Sequence, residues 1–478
     1  MYLKYFCDDK LAQASYMVGC QKTGEAIVFD PARNIEPYLD AAKSKGLRIT
    51  AVAETHIHAD FVSGAREMAD RTDALLYLSN EGGRDWSYSY LNDLKHVLLT
   101  DGDTFNIGNV LFEVMHTPGH TPESLSYILT DQAGGNDAPM GIFSGDFVFV
   151  GDVGRPDLLE KAAGVNDSSD QSAREMFQSL QRFKQLPDYM QVWPGHGAGS
   201  ACGKSLGAVP TSTVGYEKKV NWSLGDRNED SFVKELLAGQ PEPPRYFGEM
   251  KRINKEGPRL LRYIQSPQIL DVSVDRMNEL LEEGNQVVDL RNPEQFAEKH
   301  IRGTINIPYN KSFVNWAGWL LDYDRPLYLI VKEDKAKDVI RDLHAIGIDH
   351  IAGYVDSSIL EDYREAGFAL DFYKNETPAA INNKIQGKEV HLIDVRNQNE
   401  WEENHIPEAR HMMLGRLNDR IGEIPKGQPV AVHCQAGGRS AIAASILKKH
   451  GIPEVINVEG GLSRWISEGL PVKNHSKG

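Results

Sequence analysis

The sequence predicts an α/β protein of several domains. Four short apolar runs in the first half each end in a motif bearing His or Asp, and one stretch of the second half occurs twice. A proline-rich break separates the halves. At 478 residues the chain exceeds one typical core, and three domains of ordinary size are expected. Charged residues make up 25% of the chain, as in a soluble globular protein, and the net charge of −16 argues against a nucleic-acid partner.

The first-half motifs come in a fixed order. Thr55-His56-Ile57-His58-Ala59-Asp60 follows the run ITAVAE, and Thr117-Pro118-Gly119-His120-Thr121 follows VLFEVM. Ser144-Gly145-Asp146 follows MGIF, and Pro194-Gly195-His196-Gly197 follows YMQVW. Each run reads as a strand, and loops at strand ends are where chemistry is usually placed. His and Asp offered from several strand ends form the donor set of a transition metal. Imidazole with carboxylate and no thiolate suits zinc or iron.

The order THxHxD…TPGHT…GD…GH resembles the metallo-β-lactamase fold, and THxHAD with GRPDL (154–158) resembles its persulfide dioxygenase branch. The resemblance implies an αββα sandwich holding one Fe(II) by His56, His120 and Asp146. That pattern is a facial triad with open positions for substrate and O2. His58, Asp60 and His196 are then expected close by, orienting ligands or holding water. Dinuclear members of the fold carry a second-metal His directly after the Asp of the first motif, where this chain has Phe61. Only Asp60, Asp146 and His196 remain for a second ion, so one metal is expected. Arg155 of GRPDL matches a family Arg placed near substrate carboxylates, while Asp152 and Asp157 make a structural ion pair an equal reading. Cys202 lies in a Gly-rich loop after His196, where it is expected to contact substrate or relay sulfur, or to be an ordinary loop cysteine. Cys7 and Cys20 are read as core.

In the second half, VVDLRNPEQFAEKHIRGTINIP (287–308) and LIDVRNQNEWEENHIPEARHMM (392–413) align at one offset. Asp289, Arg291, Asn292, His300 and Ile301 correspond to Asp394, Arg396, Asn397, His405 and Ile406. The same α/β unit therefore occurs twice. Strands alternating with helices predict parallel sheets covered on both faces. Both copies resemble the rhodanese sulfurtransferases.

Their loops differ. In the last copy the strand VAVH runs into Cys434-Gln435-Ala436-Gly437-Gly438-Arg439 and then a helix. A sulfur at a helix N-terminus meets unpaired N–H groups, and the glycines let the loop curl around it. With Arg439, this favours a thiolate or persulfide. The length from Cys to Arg is that of a rhodanese loop, one residue shorter than the related phosphate-binding loop. The middle copy has Lys332-Glu333-Asp334-Lys335 there, with no Cys and no Gly pair, and is expected to be catalytically silent.

The expected organisation is a metal domain over 1–240, the proline-rich break Gln240-Pro241-Glu242-Pro243-Pro244, a linker over 241–264, a Cys-free rhodanese-like domain over 265–375, and a Cys-bearing one over 376–478. The N-terminus shows no basic region followed by an apolar core, no stretch has the apolar length of a membrane span, and the four cysteines show no CxxC spacing. A cytoplasmic protein with no membrane or nucleic-acid partner is expected, and a homo-oligomer is allowed. The resemblances imply oxidation of a low-molecular-weight thiol persulfide (of glutathione, coenzyme A or bacillithiol) by O2 to sulfite. Thiosulfate would form by transfer at Cys434, the whole serving sulfide detoxification. The alternative is a zinc-dependent thioester hydrolase resembling glyoxalase II, fused to a sulfurtransferase.

Overall fold

The computed structural model describes residues 1–158, 168–204, 206–270 and 273–474, so the last four residues of the expected final domain lie outside it. The chain divides into two compact units. One comprises Met1–Ile264 with His344–Gly347, and the other Gln265–Leu343 with Ile348–Gly478.

The first unit is built on two six-stranded sheets. The spatial order of the first is Tyr2–Asp8, Gln13–Cys20, Glu25–Phe29, Arg48–Ala53, Leu75–Ser79 and His96–Leu99. In the second it is Ser212–Thr213, Gln191–Pro194, Gly141–Gly145, Leu125–Asp131, Val110–His116 and Thr104–Ile107. Strand side chains alternate between faces, and the central strands are buried on both. Tyr16, Val18, Ile27 and Phe29 point between the sheets, where they meet Phe112, Tyr127, Phe143 and Trp193. The Phe29 and Phe143 rings stack at 4.4 Å. Met17, Ala26 and Val28 point the other way, into a core shared with the helices Glu36–Ser44 and Ala65–Thr72. The outer face of the second sheet is covered by Ser168–Phe183 and Glu229–Leu237. The result is the four-layer αββα arrangement.

Residues 241–264 were expected to be a linker, but they are part of this unit. Tyr246–Glu256 forms a helix with Tyr246, Phe247, Met250 and Asn254 buried. The Asn254 amide donates to the carbonyls of His58 (2.8 Å) and Phe61 (2.7 Å) and accepts from the Ser63 N–H (2.9 Å). Loop backbone inside a protein must find such partners, and here a single side chain supplies three. Of the two cysteines read as core, Cys20 is buried. Cys7, in the strand at the sheet edge, is exposed.

The second unit contains a four-stranded and a five-stranded sheet, both all-parallel. The repeated sequence folds alike in both. Arg291 clasps Asp289 (2.7 Å) and donates to the Lys299 carbonyl (2.9 Å). Arg396 clasps Asp394 (2.7 Å) and donates to the Asn404 carbonyl (2.6 Å). His300 stacks on Phe296 at 4.0 Å, and His405 on Trp401 at 3.8 Å. The helix Gly438–Lys449 is buried from Ser440 through Leu447. Apart from two serines that stretch is alanine, isoleucine and leucine, as fits a helix segment covered on every side. Among the described residues no helix is long and apolar enough to cross a membrane.

Candidate metal centre and sulfur loop

The strand-end loops of the first unit bring His56, His120 and Asp146 together, with donor atoms within 4.8 Å of one another. Asp146 Oδ2 lies 3.9 Å from His56 Nε2 and 3.5 Å from His120 Nε2. Each ring is oriented by a bond on its other nitrogen, which is how protein metal ligands are commonly fixed. His120 Nδ1–H donates to the Arg155 carbonyl at 3.0 Å. His56 Nδ1–H donates to Thr55 Oγ1 at 3.0 Å, and that hydroxyl donates to Asp30 at 2.8 Å. Burial, then the neighbouring imidazoles, push His56 well below its ordinary pKa, and burial lowers His120. Both are therefore neutral, as a ligand must be.

Among the described residues, His56 Nε2 and both Asp146 oxygens are buried without hydrogen-bond partners. Buried polar atoms left orphaned are costly unless something binds them, so the residues fit a cation. Backbone space is tight here: a Cβ at Gly195 would lie 2.6 Å from Asp146 Oδ1, which explains the glycine before His196.

The three remaining motif residues divide. His58 Nε2 lies 3.1 Å from Asp30 and 3.2 Å from Glu54, while its ring packs 4.3 Å from Phe61. Burial works against its charge, but the Asp30 and Glu54 carboxylates hold its pKa well above the ordinary value. His58 thus sits between two carboxylates, its ring 4.2 Å from that of His56. Asp60 and His196 sit together at 3.2 Å, with His196 Nε2 also 3.4 Å from Asp146.

Cys202, read from its Gly-rich loop as a substrate contact, a sulfur relay or an ordinary loop cysteine, joins Asp60 and His196 in a buried group. Burial pushes its thiol well above the ordinary value, and Asp60 and Asp146 add to this. Arg155 is fully buried. It forms a two-pronged pair with Asp157 (2.7 Å each) and donates to the Pro241 carbonyl (2.6 Å). Of its two readings, the structural ion pair is the one the geometry supports, since its guanidinium is committed to protein partners.

In the second unit, Cys434 is buried at the strand-to-helix turn. The Gly437 N–H donates to its sulfur at 3.1 Å and the Ser440 hydroxyl lies at 3.5 Å. Ser440 was not foreseen; it stands one helical turn beyond Gly437. Arg439, expected to serve the sulfur, makes a two-pronged pair with Glu400 (2.6 and 2.7 Å). Gln435 bridges Arg396 (3.3 Å) and Ser463 (2.9 Å). Ala436, Gly437 and Gly438 line a cavity of about 370 Å³ that Glu294 and Glu459 also border. A Cβ on Gly461, whose φ is +55°, would lie 2.3 Å from the Cys434 carbonyl oxygen, so only glycine fits behind the loop. In the middle copy only residues 331–332 separate the strand ending at Ile330 from the helix starting at Glu333, against 434–437 in the last copy. No span remains there to wrap a sulfur.

Comparison with known proteins gives a consistent picture. A family model of the metallo-beta-lactamase superfamily matches residues 8–196, and one of the rhodanese-like domain matches residues 273–358 and 377–468. The chain is similar to a crystal structure of a metallo-beta-lactamase from Staphylococcus aureus subsp. aureus COL, with 45% identity and a TM-score of 0.67, covering 74% of this chain and 99% of that one. A beta-lactamase hydrolase-like protein of Xylella fastidiosa (strain 9a5c) is 29% identical over 48% of this chain and 53% of its own length. A hydroxyacylglutathione hydrolase of Synechococcus sp. is 33% identical over 36% of this chain and 59% of its own. The chain thus spans about half the length of the first curated relatives it matches.

Proposed function

Because the chain belongs to the metallo-beta-lactamase superfamily and continues into two rhodanese-like domains, we propose that it is a persulfide dioxygenase joined to a sulfurtransferase. Its substrate would be a low-molecular-weight thiol persulfide, oxidised by O2 to sulfite. His56, His120 and Asp146 would hold one Fe(II), which supplies the redox chemistry between O2 and the sulfane sulfur. The observation that carries this reading is the ligand set itself. Two imidazoles and one carboxylate converge there, while the His58 ring lies between Asp30 and Glu54 and Phe61 stands where dinuclear members carry a His.

The chain's own groups define the remaining roles. Thr55 and the Arg155 carbonyl keep the two imidazoles in the ligating tautomer. In the second unit Cys434 would carry sulfane sulfur as a persulfide, stabilised by the Gly437 N–H and Ser440. Attack of sulfite on its outer sulfur breaks the S–S bond, releasing thiosulfate and returning the Cys434 thiolate. In the cell such a chain would remove sulfide-derived sulfur.

A second reading is favoured by the hydroxyacylglutathione hydrolase relatives: zinc-dependent hydrolysis of a thioester. Oxygen uptake by the iron-reconstituted protein on addition of glutathione persulfide separates the two, with sulfite and thiosulfate quantified together. Rapid uptake with sulfur oxyanions formed is expected. No uptake with any thiol persulfide, in protein that contains iron, would shift the assignment to the hydrolase.

A further inference from the structure

The cavity of about 370 Å³ beside the Cys434 loop draws its walls from both copies of the repeat, which lie in one compact unit. The last copy contributes the loop residues 436–438, together with Asn457 of the strand Val455–Val458 and Glu459 just beyond it. The Cys-free copy contributes Glu294, in the first turn of the helix Pro293–Glu298. Acceptors dominate this wall. Glu294 is exposed, and among the described residues no ion pair engages it. Glu459 shares its charge with Arg464 at 2.8 Å. Asn457 is 8% exposed, and its amide N–H donates to Asn375 Oδ1 at 3.0 Å. Its own Oδ1 has no hydrogen-bond partner among the described residues. No described Lys or Arg lines the cavity, and the loop's own cation, Arg439, is held by Glu400.

We propose that this cavity receives the ammonium group of a small aminothiol, which takes the sulfane sulfur from Cys434, with Glu294 of the Cys-free copy setting the preference. An ammonium group brings three donors and a positive charge. It therefore answers both the unpartnered Asn457 Oδ1 and the carboxylates. The volume suits a small molecule, for which pockets begin at roughly 300 Å³. An anionic acceptor meets like charge on the same wall. The step is a thiol exchange. The aminothiol, its thiol proton lost to solvent, attacks the outer sulfur of the Cys434 persulfide. The bond from that sulfur to Cys434 Sγ breaks and a new S–S bond forms on the aminothiol. Cys434 leaves as a thiolate that accepts the Gly437 N–H. No external oxidant or reductant is needed. The proposal rests on the transfer reading of Cys434 and adds to sulfite a second acceptor of stated chemistry.

The test uses full-length protein whose Cys434 has been loaded from thiosulfate, with the bound sulfur counted by intact mass. Removal of that sulfur is then followed with cysteamine, with 2-mercaptoethanol and with sulfite. The two thiols differ only in carrying an ammonium or a hydroxyl group. Glu294→Gln should lower the cysteamine-to-mercaptoethanol rate ratio about threefold to fivefold, as for a partly exposed ion pair, and should speed attack by sulfite. Comparison between variants cancels the intrinsic reactivity of each thiol, and a merely disturbed loop would not shift cation and anion in opposite directions. In the wild type, added salt should shrink the same ratio, which decides the matter if Glu294→Gln does not fold. A ratio unchanged in Glu294→Gln, or independent of salt in the wild type, would overturn the proposal and leave the transfer reading standing. Failure of thiosulfate to load the wild type, or a load that persists in Cys434→Ser, would refute the transfer reading and the proposal together.

Discussion

Replacing Asn254 by alanine should loosen the metal loop. The substitution deletes three buried hydrogen bonds, to the carbonyls of His58 and Phe61 and from the N–H of Ser63. Each is worth about 1 kcal/mol net, and somewhat more where the partner is left buried and unsatisfied. Alanine recovers roughly 0.5 kcal/mol through its better helix propensity. The net cost is therefore about 3 kcal/mol, which corresponds to roughly a hundredfold rise in the open population. Hydrogen exchange of the metal-free, full-length protein, read peptide by peptide, measures this without assuming one unfolding transition. Peptides covering residues 54–64 and 246–256 should exchange about two orders of magnitude faster, with metal affinity falling in parallel. Asn254→Asp should be at least as damaging, since a carboxylate would face two carbonyls. Unchanged exchange over residues 54–64 would mean that the helix does not brace the loop, and residues 241–264 would return to being a linker.

Three further outcomes follow. His120→Ala should abolish oxygen uptake while thiosulfate sulfurtransfer persists, and Cys434→Ser should do the reverse; loss of both activities in either variant would sink the two-site division. Burial holds the Glu123 carboxyl up at about 7, even though it accepts the Ile57 N–H at 2.7 Å. A raised carboxyl contributes stability below its ordinary value of 4.5 that is lost as pH climbs through about 7. In metal-free protein Glu123→Gln should therefore gain on the wild type across that window, approaching about 3 kcal/mol at the alkaline end; a pH-independent difference in denaturation midpoints would contradict it. Gly461→Ala should cost about 1–3 kcal/mol in backbone strain and displace the Cys434 carbonyl. Sulfurtransfer should fall about tenfold or more, with oxygen uptake retained, and wild-type sulfurtransfer rates would refute the packing argument.

Much of the architecture was legible because it rests on local pattern. Apolar runs ending in His or Asp gave the strand ends that carry His56, His120, Asp146 and His196. The paired D-x-R segments gave the duplicated unit with its Asp–Arg clasps. What escaped was set by long-range contact. His58 reads as a metal-side residue until Asp30, from another strand end, arrives beside it. Cys202 sits in a loop with no periodicity, so nothing local links it to Asp60. The segment 241–264 opens with prolines and is rich in charge, which masks the recurrence of Tyr246, Met250 and Asn254 on one helix face. Arg439 stands where a sulfur ligand belongs, but its pairing with Glu400 depends on the capping geometry of a different helix.

The Asp289–Arg291 clasp and the Phe296–His300 stack persist in a copy that has no cysteine. Scaffold and chemistry are thus separable cassettes. The clasped strand end is a chassis that folds without its catalytic insert, and the insert is a short stretch of backbone exchanged between fixed points. The Cys-free copy therefore offers a vacant berth for protein engineering, needing a longer turn and a sulfur rather than a new fold.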